Sequence, residues 1–324
     1  MRAAYLTGLG SPEVIRVGDL PVPVPGPTDV LVRVEAVAVN PVDALIRAGR
    51  FRTPLPMPFV VGRDLVGTVE RVGGDVDQSS EATRFTPGDP VWCNSLGHAG
   101  RQGATAEFAV VPVDRLYPLP PGVDPAAAVA VLHPAATAWL ALVRHARLRP
   151  GERLLVQGAG GNVGRALVEL GAQMGGYVCA TAAPADHDAV RRLGARDVLD
   201  YRAADLDDQA PGSFDVAVDC SGRNDLAALA GHLALGARVV LLADRGDPIR
   251  VVARDLYTRD VSVLGFAITN ASVADLAGAA RWINDRLAVG GLPPRALHPV
   301  PLEQTAQAHH CIEAGVVGRL VILP

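Results

Sequence analysis

The sequence predicts an α/β chain of two domains: a β-rich part, then a doubly wound parallel sheet of six strands. Three observations carry this reading. Residues 1–122 hold short apolar runs broken by proline and glycine, as in "PVPVPGPTD", "RTPLPMP", "TPGDP" and "PLPPG". From residue 153 onward, short apolar runs alternate with helical spacing. Between the two styles lies "LLVQGAGGNVGRALVELG" (154–171), in which four glycines pass within seven positions before a helical pattern begins. The length, 324 residues, suits two domains at ~100–200 residues each.

Each element follows from local pattern. "VLVRVEAVAV" (30–39) sets Val30, Val32, Val34, Ala36 and Ala38 on one face, the period of a half-buried strand. Many such strands with frequent turns suggest a barrel or sandwich over 1–122. The stretch 126–143 is Ala-rich and apolar, interrupted by His133 and Pro134, and is read as a buried helix pair rather than a membrane span, which needs ~20 strongly apolar residues. Six strands follow: "RLLVQ" (153–157), "YVCAT" (177–181), "DVLD" (197–200), "FDVAVD" (214–219), "ARVVLLA" (237–243) and "VSVLGF" (261–266). Val163, Ala166, Leu167, Leu170 and Met174 share one helical face between the first two. Recurring strand–helix units imply parallel strands covered by helices on both faces, and six is the strand count of a complete dinucleotide-binding sheet. A helical stretch covers 272–289.

Composition removes several function classes. The formal net charge is −4 and no like-charge run marks a tail, so no nucleic-acid partner is expected. All 30 cationic side chains are arginine, which excludes a lysine Schiff base. Cys93, Cys179, Cys220 and Cys311 stand far apart in sequence, unlike a disulfide framework or a zinc lobe. The N-terminal "MRAAYLTGLG" lacks the apolar core of a signal peptide. A cytoplasmic protein with no membrane partner is the expectation.

The glycine loop offers a nucleotide site. Gly158, Gly161 and Gly164 form G-x-x-G-x-x-G; Val163 falls where the full G-x-G-x-x-G would end. Gly158 permits a sharp turn at the strand end, Gly161 lets backbone approach a pyrophosphate, and Gly164 lets helix and sheet pack closely. The helix N-terminus, Asn162–Val163, presents free N–H groups to phosphate. A ligand-free strand–turn–helix is the competing reading. No G-K-[ST] follows, so a Walker loop is excluded.

The second strand ends in Thr181-Ala182-Ala183-Pro184 without the acid that NAD-preferring sites aim at the ribose, which permits NADP(H). No cation sits at that tip. His187 and Tyr201 are the nearest candidates for a 2′-phosphate, and each also reads as an ordinary surface-helix or strand-end residue.

These stretches resemble the medium-chain dehydrogenase/reductase superfamily, most of all its zinc-independent quinone oxidoreductase (zeta-crystallin-like) branch. The likeness rests on 10–49 with "NPVDALIRAG", on "PFVVGRDLVGTVERVGGDV" (58–76), "FTPGDPVW" (85–92), "GATAEFAVVPVDRLYPLP" (103–120), "LHPAATAWLAL" (132–142), "PGERLLVQGAGGNVG" (150–164) and "GRLVILP" (318–324). It implies a GroES-like catalytic domain from 1–122 and 267–324, with a Rossmann NADP(H)-binding domain over 123–266 inserted between. It implies further that Asn40 lies near the nicotinamide, orienting it or the substrate. Thr181 and Ala182 stand at the tip of the second strand, and Cys220, Ala243 and Phe266-Ala267-Ile268 join them as cofactor-binding positions. Asp43 and Thr137 are candidate site residues that read equally as a turn cap and a helix-packing hydroxyl.

Departures from the branch matter. Zinc-dependent relatives place a cysteine in the "AVNPVD" stretch and a His-Glu pair after a glycine; here stand Asn40 and Gly62-Arg63-Asp64, so no metal is expected. Leu45, a substrate-pocket position, replaces the tyrosine of many relatives, and His187 stands where relatives carry a lysine. The implied activity is NADPH-dependent hydride transfer to a quinone or similar conjugated carbonyl. Alternatives are an enoyl or alkenal double-bond reductase, a non-catalytic NADP(H)-binding protein and, last, an alcohol dehydrogenase. The strand "VSVLGF", read as the sheet edge, invites pairing with a second copy, so a homodimer is expected.

Overall fold

The computed structural model describes residues 1–76, 84–202, 212–223, 225–244, 246 and 248–324. The chain divides into two compact units, Met1–His133 with Ser272–Pro324, and Pro134–Ala271. The sequence pattern places these limits at 122/123 and 266/267. The Pro-rich stretch before 125 marks where strands stop, and the first division falls later, inside a helix.

In the first unit, strands β1 (Arg2–Leu6), β2 (Arg16–Asp19), β3 (Asp29–Ala38), β4 (Phe59–Val60), β5 (Asp64–Val72), β6 (Pro90–Cys93), β7 (Phe108–Pro112) and β8 (Tyr117–Pro118) precede the long helix. After the second unit come β15 (Leu297–Pro301) and β16 (Arg319–Leu323). One sheet runs β15-β16-β3-β5-β6-β8 with β7 added to β3; a smaller one runs β2-β1-β4. β3 explains its own pattern. Arg33 and Glu35 are exposed between buried Val32, Val34 and Ala36, while both ends are buried on either face, and register shifts interrupt its pairing with β5. The C-terminal strand β16 lies antiparallel to β3, pairing Val321 with Ala38 and Ile322 with Val37. This brings Arg319 to the start of the segment containing Asn40.

His309 is buried in the helix Thr305–Glu313, and burial, reinforced by the Arg47 guanidinium, pulls its imidazole down to about 3. The folded value lies below the ordinary 6.5. Above that pH the residue is neutral whether folded or not; below it only the unfolded chain takes the proton. Stability is therefore expected to fall as pH drops from about 6.5 toward 3. Thermal melts across that window should show a shallower decline for His309→Gln than for the wild type; parallel curves would contradict this.

The stretch 126–143 is not a helix pair. One continuous helix, Pro125–Trp139, carries Pro134 inside it and passes directly into a π-helical end, Leu140–His145. Proline removes one helical N–H and crowds the carbonyl four residues back. Here small neighbours surround it, and burial of Leu132, Ala135, Ala136 and Ala138 keeps the axis unbroken. By length and composition Pro125–His145 is long and apolar enough to cross a membrane, yet 67% of its most apolar window is buried within the protein.

In the second unit, β9 (Arg153–Gln157), β10 (Tyr177–Ala182), β11 (Asp197–Asp200), β12 (Phe214–Asp219), β13 (Leu233–Leu241) and β14 (Ser262–Gly265) form one parallel sheet in the order β11-β10-β9-β12-β13-β14. The order reverses at β9, whose neighbours are β10 and β12. In such sheets the crevice outside the strand ends at this reversal is where ligands bind. The helix Asn162–Gln173 returns from β9 with Ala166, Leu167 and Leu170 buried as its spacing predicts; Val163 and Met174 at its ends are half-buried.

Candidate functional site

Two groups of residues stand out, one in each unit. In the second unit, the backbone of the glycine loop is held by its neighbours. Gly158 has φ +82, conformation that side chains rarely adopt, and its N–H donates to Thr181 Oγ1 at 3.2 Å. Ala159 N–H donates to the Thr181 carbonyl at 2.8 Å, and Cys220 N–H to the Gln157 carbonyl at 3.0 Å. On the other side of β9, Asp219 Oδ1 accepts from Ser221 N–H at 2.6 Å and Gly222 N–H at 3.2 Å. Gly164 lies against the loop so closely that an added Cβ would sit 2.4 Å from the Gly158 carbonyl oxygen and 2.7 Å from Ala159 Cα. At Gly161, the N-cap, a Cβ would meet only the Gly158 oxygen, at 3.3 Å. Gly164 is thus a packing glycine, and Gly161 leaves room beside the helix N-terminus. The loop, with Asn162 and Val163 in the helix's first turn, fits a pyrophosphate.

The other expected cofactor positions lie at or just beyond the C-terminal ends of the same six strands. Thr181 and Ala182 close β10, Tyr201 follows β11, Cys220 follows β12, Ala243 follows β13, and Phe266, Ala267 and Ile268 follow β14. Burial, aided by Asp219, pushes the Cys220 thiol well up, so it is no nucleophile at neutral pH. The Phe266 ring stacks on His145 with centroids 4.3 Å apart and planes 13° apart.

The sequence shows no cation at the second-strand tip; the structure gathers two about Tyr201, just after β11. The Arg202 guanidinium lies 5.1 Å and that of Arg223 5.0 Å from the Tyr201 ring, and Arg202 Nε donates to Tyr201 Oη at 3.1 Å. Arg202 follows β11 and Arg223 follows β12, strands that are not neighbours in the sheet, so neither a local motif nor the strand order announces the pair; their contacts with the Tyr201 ring do. His187 is already engaged: a carbonyl only accepts, so its Nε2–H donates to the Ala182 oxygen at 3.2 Å.

In the first unit, Asn40 caps the helix Pro41–Arg47, with Pro41 at the first helical position and Asp43 at the third. Asp43 Oδ2 accepts from Asn40 N–H at 2.8 Å, one half of a capping box, so its turn-capping reading has direct support. The Asn40 side chain is thereby left for other work. Its Nδ2 donates to Asp64 Oδ2 at 2.9 Å, and its Oδ1 accepts from Arg319 Nη2 at 2.8 Å. Asp64 Oδ1 accepts from His133 Nδ1 at 3.3 Å. Asn40, Asp43, Arg63, Asp64 and Arg319 are all buried. Burial, then the charge of Asp64, lifts the Asp43 carboxyl from its ordinary 3.8 to about 7. The charges of Arg63 and Arg319 face both carboxyl groups. Leu45 sits on the same helix, 40% exposed. Thr137 is a buried residue of the long helix in the second unit. Arg63, Asp64, Arg319 and His133 escape sequence reasoning as functional residues; the pairing of β16 with β3 is the signal that joins Arg319 to Asn40.

The chain matches two family descriptions: "Alcohol dehydrogenase GroES-like domain" over residues 26–121, and "Zinc-binding dehydrogenase" over residues 193–322. It is 32% identical to the quinone oxidoreductase of Mus musculus, over 100% of this chain and 98% of that one. Among solved structures, an NAD-dependent alcohol dehydrogenase superposes with TM-score 0.86 at 31% identity, each chain covered completely. A mycobacterial protein solved in complex with NADPH gives TM-score 0.82 at 26% identity, again covering both chains.

The zinc named in the second description does not fit the residues here. Catalytic zinc takes three ligands from Cys, His and carboxylates. The expected positions hold an amide, Asn40, and a guanidinium, Arg63, and the carboxylates near them face two buried arginines. No group of three or more candidate ligands occurs among the described residues. A GroES-like unit, a six-stranded Rossmann sheet and a third of all positions shared along the full length make one statement: the chain belongs to the medium-chain dehydrogenase/reductase superfamily, in its quinone oxidoreductase (zeta-crystallin-like) branch.

Proposed function

We propose that the chain is a zinc-independent, NADPH-dependent oxidoreductase that reduces a quinone or similar conjugated carbonyl. The observation that carries this is the glycine loop at the end of β9, where the strand order reverses, with the other expected cofactor positions at the same end of the parallel sheet. The quinone oxidoreductase relatives set the acceptor class. When bound, the dinucleotide supplies a hydride. The chain's own part is to bind and to orient. Gly161, Asn162 and Val163 offer backbone to the pyrophosphate. Thr181, Ala182, Cys220, Ala243, Phe266, Ala267 and Ile268 border the rest of the cofactor. Asn40, fixed by Arg319 and Asp64, orients the reacting partners, Leu45 borders the acceptor, and Thr137 remains a candidate site hydroxyl.

Preference for NADPH over NADH rests on Arg202 and Arg223 about Tyr201, since guanidinium groups suit a 2′-phosphate and Thr181–Pro184 carries no acid; the Asp186 carboxylate, packed against Gly160 of the glycine loop, opposes it. His187 is a lesser partner, because one ring nitrogen is spent on Ala182. Fluorescence titration should show NADPH binding weakened on the order of tenfold or more in Arg202→Ala/Arg223→Ala, with NADH binding unchanged. Equal dissociation constants for the two cofactors in the wild type would sink the NADPH assignment.

Initial rates of NADPH oxidation with 9,10-phenanthrenequinone, 1,4-benzoquinone and 2-alkenals test the activity. The quinones are expected to be the better acceptors. Faster turnover of alkenals would favour the double-bond reductase, and NADPH binding with no accelerated oxidation by any acceptor would favour a non-catalytic protein. We further read the chain as a cytoplasmic homodimer. Val263 on β14, Leu235 on its neighbour β13, and Val252 and Tyr257 on the segment leading into β14 are all exposed apolar residues, and β14 is the sheet edge. Light scattering at micromolar concentration should return twice the chain mass; a monomeric mass would count against it.

A further inference from the structure

We propose that His133, held by Asp64, delivers the proton that completes reduction of the acceptor. This rests on the reading of the chain as a reductase. The supporting geometry lies within the first unit. Arg319 donates to Asn40, Asn40 donates to Asp64, and Asp64 accepts from His133, at 2.8, 2.9 and 3.3 Å. The line thus joins four elements: β16, the cap of the helix Pro41–Arg47, the start of β5, and the long helix.

Three of the four are sealed from water. Asn40, Asp64 and Arg319 are buried, and the Asp64 side chain has no exposed surface, whereas the His133 side chain is 12% exposed. A proton enters or leaves such a line where it meets solvent, which is at His133. Histidine is also the side chain that changes charge near neutral pH. The carboxylate accepts at Nδ1, so Nδ1 carries a hydrogen and the exchangeable proton of the imidazolium is the one on Nε2. A buried carboxylate at Nδ1 fixes the ring's tautomer and orientation, the positioning that a general acid requires. Asp43 is the rival acid, but it is buried and its Oδ2 is committed to Asn40 N–H. The charged or titratable groups facing Asp64 are Asp43, Arg63, Cys93 and Arg319. Burial holds the Cys93 thiol in its neutral form.

The step balances simply. An acceptor carbonyl conjugated to a second carbonyl or to a double bond, having gained a hydride, is a hydroquinone anion or an enolate with charge on oxygen. The Nε2–H bond of His133 breaks, its electron pair stays on nitrogen, and the proton bonds to that oxygen. The neutral imidazole then takes a proton from water.

The test uses the intact chain with NADPH and 9,10-phenanthrenequinone from pH 6 to 9. For His133→Gln, kcat is expected to fall on the order of 100-fold at pH 8, with KM little changed, and added imidazole should restore part of the rate. The wild-type alkaline decline in kcat should be missing in the variant. A second readout is independent of turnover: the wild type should show a downfield imidazole N–H proton resonance, absent in His133→Gln and moved upfield in Asp64→Asn. A wild type that turns over, with a His133→Gln pH profile superimposable on it, overturns the proton-donor role alone. A wild type whose NADPH oxidation no acceptor accelerates overturns the reductase reading, and this proposal with it.

Discussion

Replacing Arg319 by methionine is expected to destabilise the protein by about 3–5 kcal/mol, the range for removing one partner of a buried charge network. Arg319 is buried, donates to Asn40 Oδ1, and faces Asp43 and Asp64. Methionine has similar bulk, so the loss is electrostatic rather than a cavity. Arg63 would remain as the main cation against two buried carboxyl groups, and Asn40 would lose the bond that holds its side-chain oxygen. The pH dependence has a definite sign. Asp43 titrates in the fold at about 7, against an ordinary 3.8, so the fold favours its neutral form and its ionisation costs stability as pH rises through about 7. Without Arg319 that cost grows. The gap between variant and wild type should therefore be widest near pH 8 and narrow toward pH 6. Adding Asp43→Asn to the variant should recover part of the loss, because it removes the charge left uncompensated while keeping an oxygen for Asn40 N–H. Denaturant titration of the single and double variants checks this. Additive losses would mean that Arg319 and Asp43 are not coupled.

What the sequence discloses here is mostly local. The six strands announce themselves because each is a short apolar run set apart from the next by a longer polar or helically spaced stretch, and their C-terminal ends follow automatically. Of the glycine spacing, the turn at Gly158 and the close packing at Gly164 are legible for the same reason: both are set by a few neighbouring residues. Pairings that depend on tertiary order stay hidden. Arg202 and Arg223, which meet at the Tyr201 ring, stand 21 residues apart in the chain, so a search for a cation beside Thr181 misses them. His133 resembles any histidine in an Ala-rich helix until Asp64, from β5, arrives at its ring. Pro134 misleads in the opposite sense. It predicts a break, but a helix buried along most of its length tolerates one missing hydrogen bond, and the irregularity appears instead at the π-helical end from Leu140.

Two substitutions in the glycine loop should separate packing from ligand approach. In Gly164→Ala the new methyl would lie 2.4 Å from the Gly158 oxygen, 2.7 Å from Ala159 Cα and 2.9 Å from the Gly158 carbonyl carbon. All three are backbone atoms of a turn fixed by Thr181, so no side-chain rotation relieves the clash. The helix Asn162–Gln173 must shift off the end of β9, and both stability and cofactor binding should suffer. Overpacking of this kind costs about 1–3 kcal/mol, and NADPH affinity should drop well beyond tenfold as the helix N-terminus leaves its place. Gly161→Ala is the contrast. The N-cap has φ −78 and ψ 170, which alanine adopts readily, and its methyl would meet only one oxygen, at 3.3 Å. Folding should suffer only modestly, with a thermal midpoint within about 2–4 °C of wild type, since alanine is a poorer N-cap than glycine by about 1 kcal/mol. The methyl nevertheless stands where the pyrophosphate must approach, so NADPH binding should weaken on the order of tenfold or more. Melting curves and NADPH titrations on both variants decide the matter. If Gly161→Ala binds NADPH as tightly as wild type, the loop is a structural turn and the dinucleotide lies elsewhere; if Gly164→Ala melts normally, close helix–strand contact is not what that glycine secures.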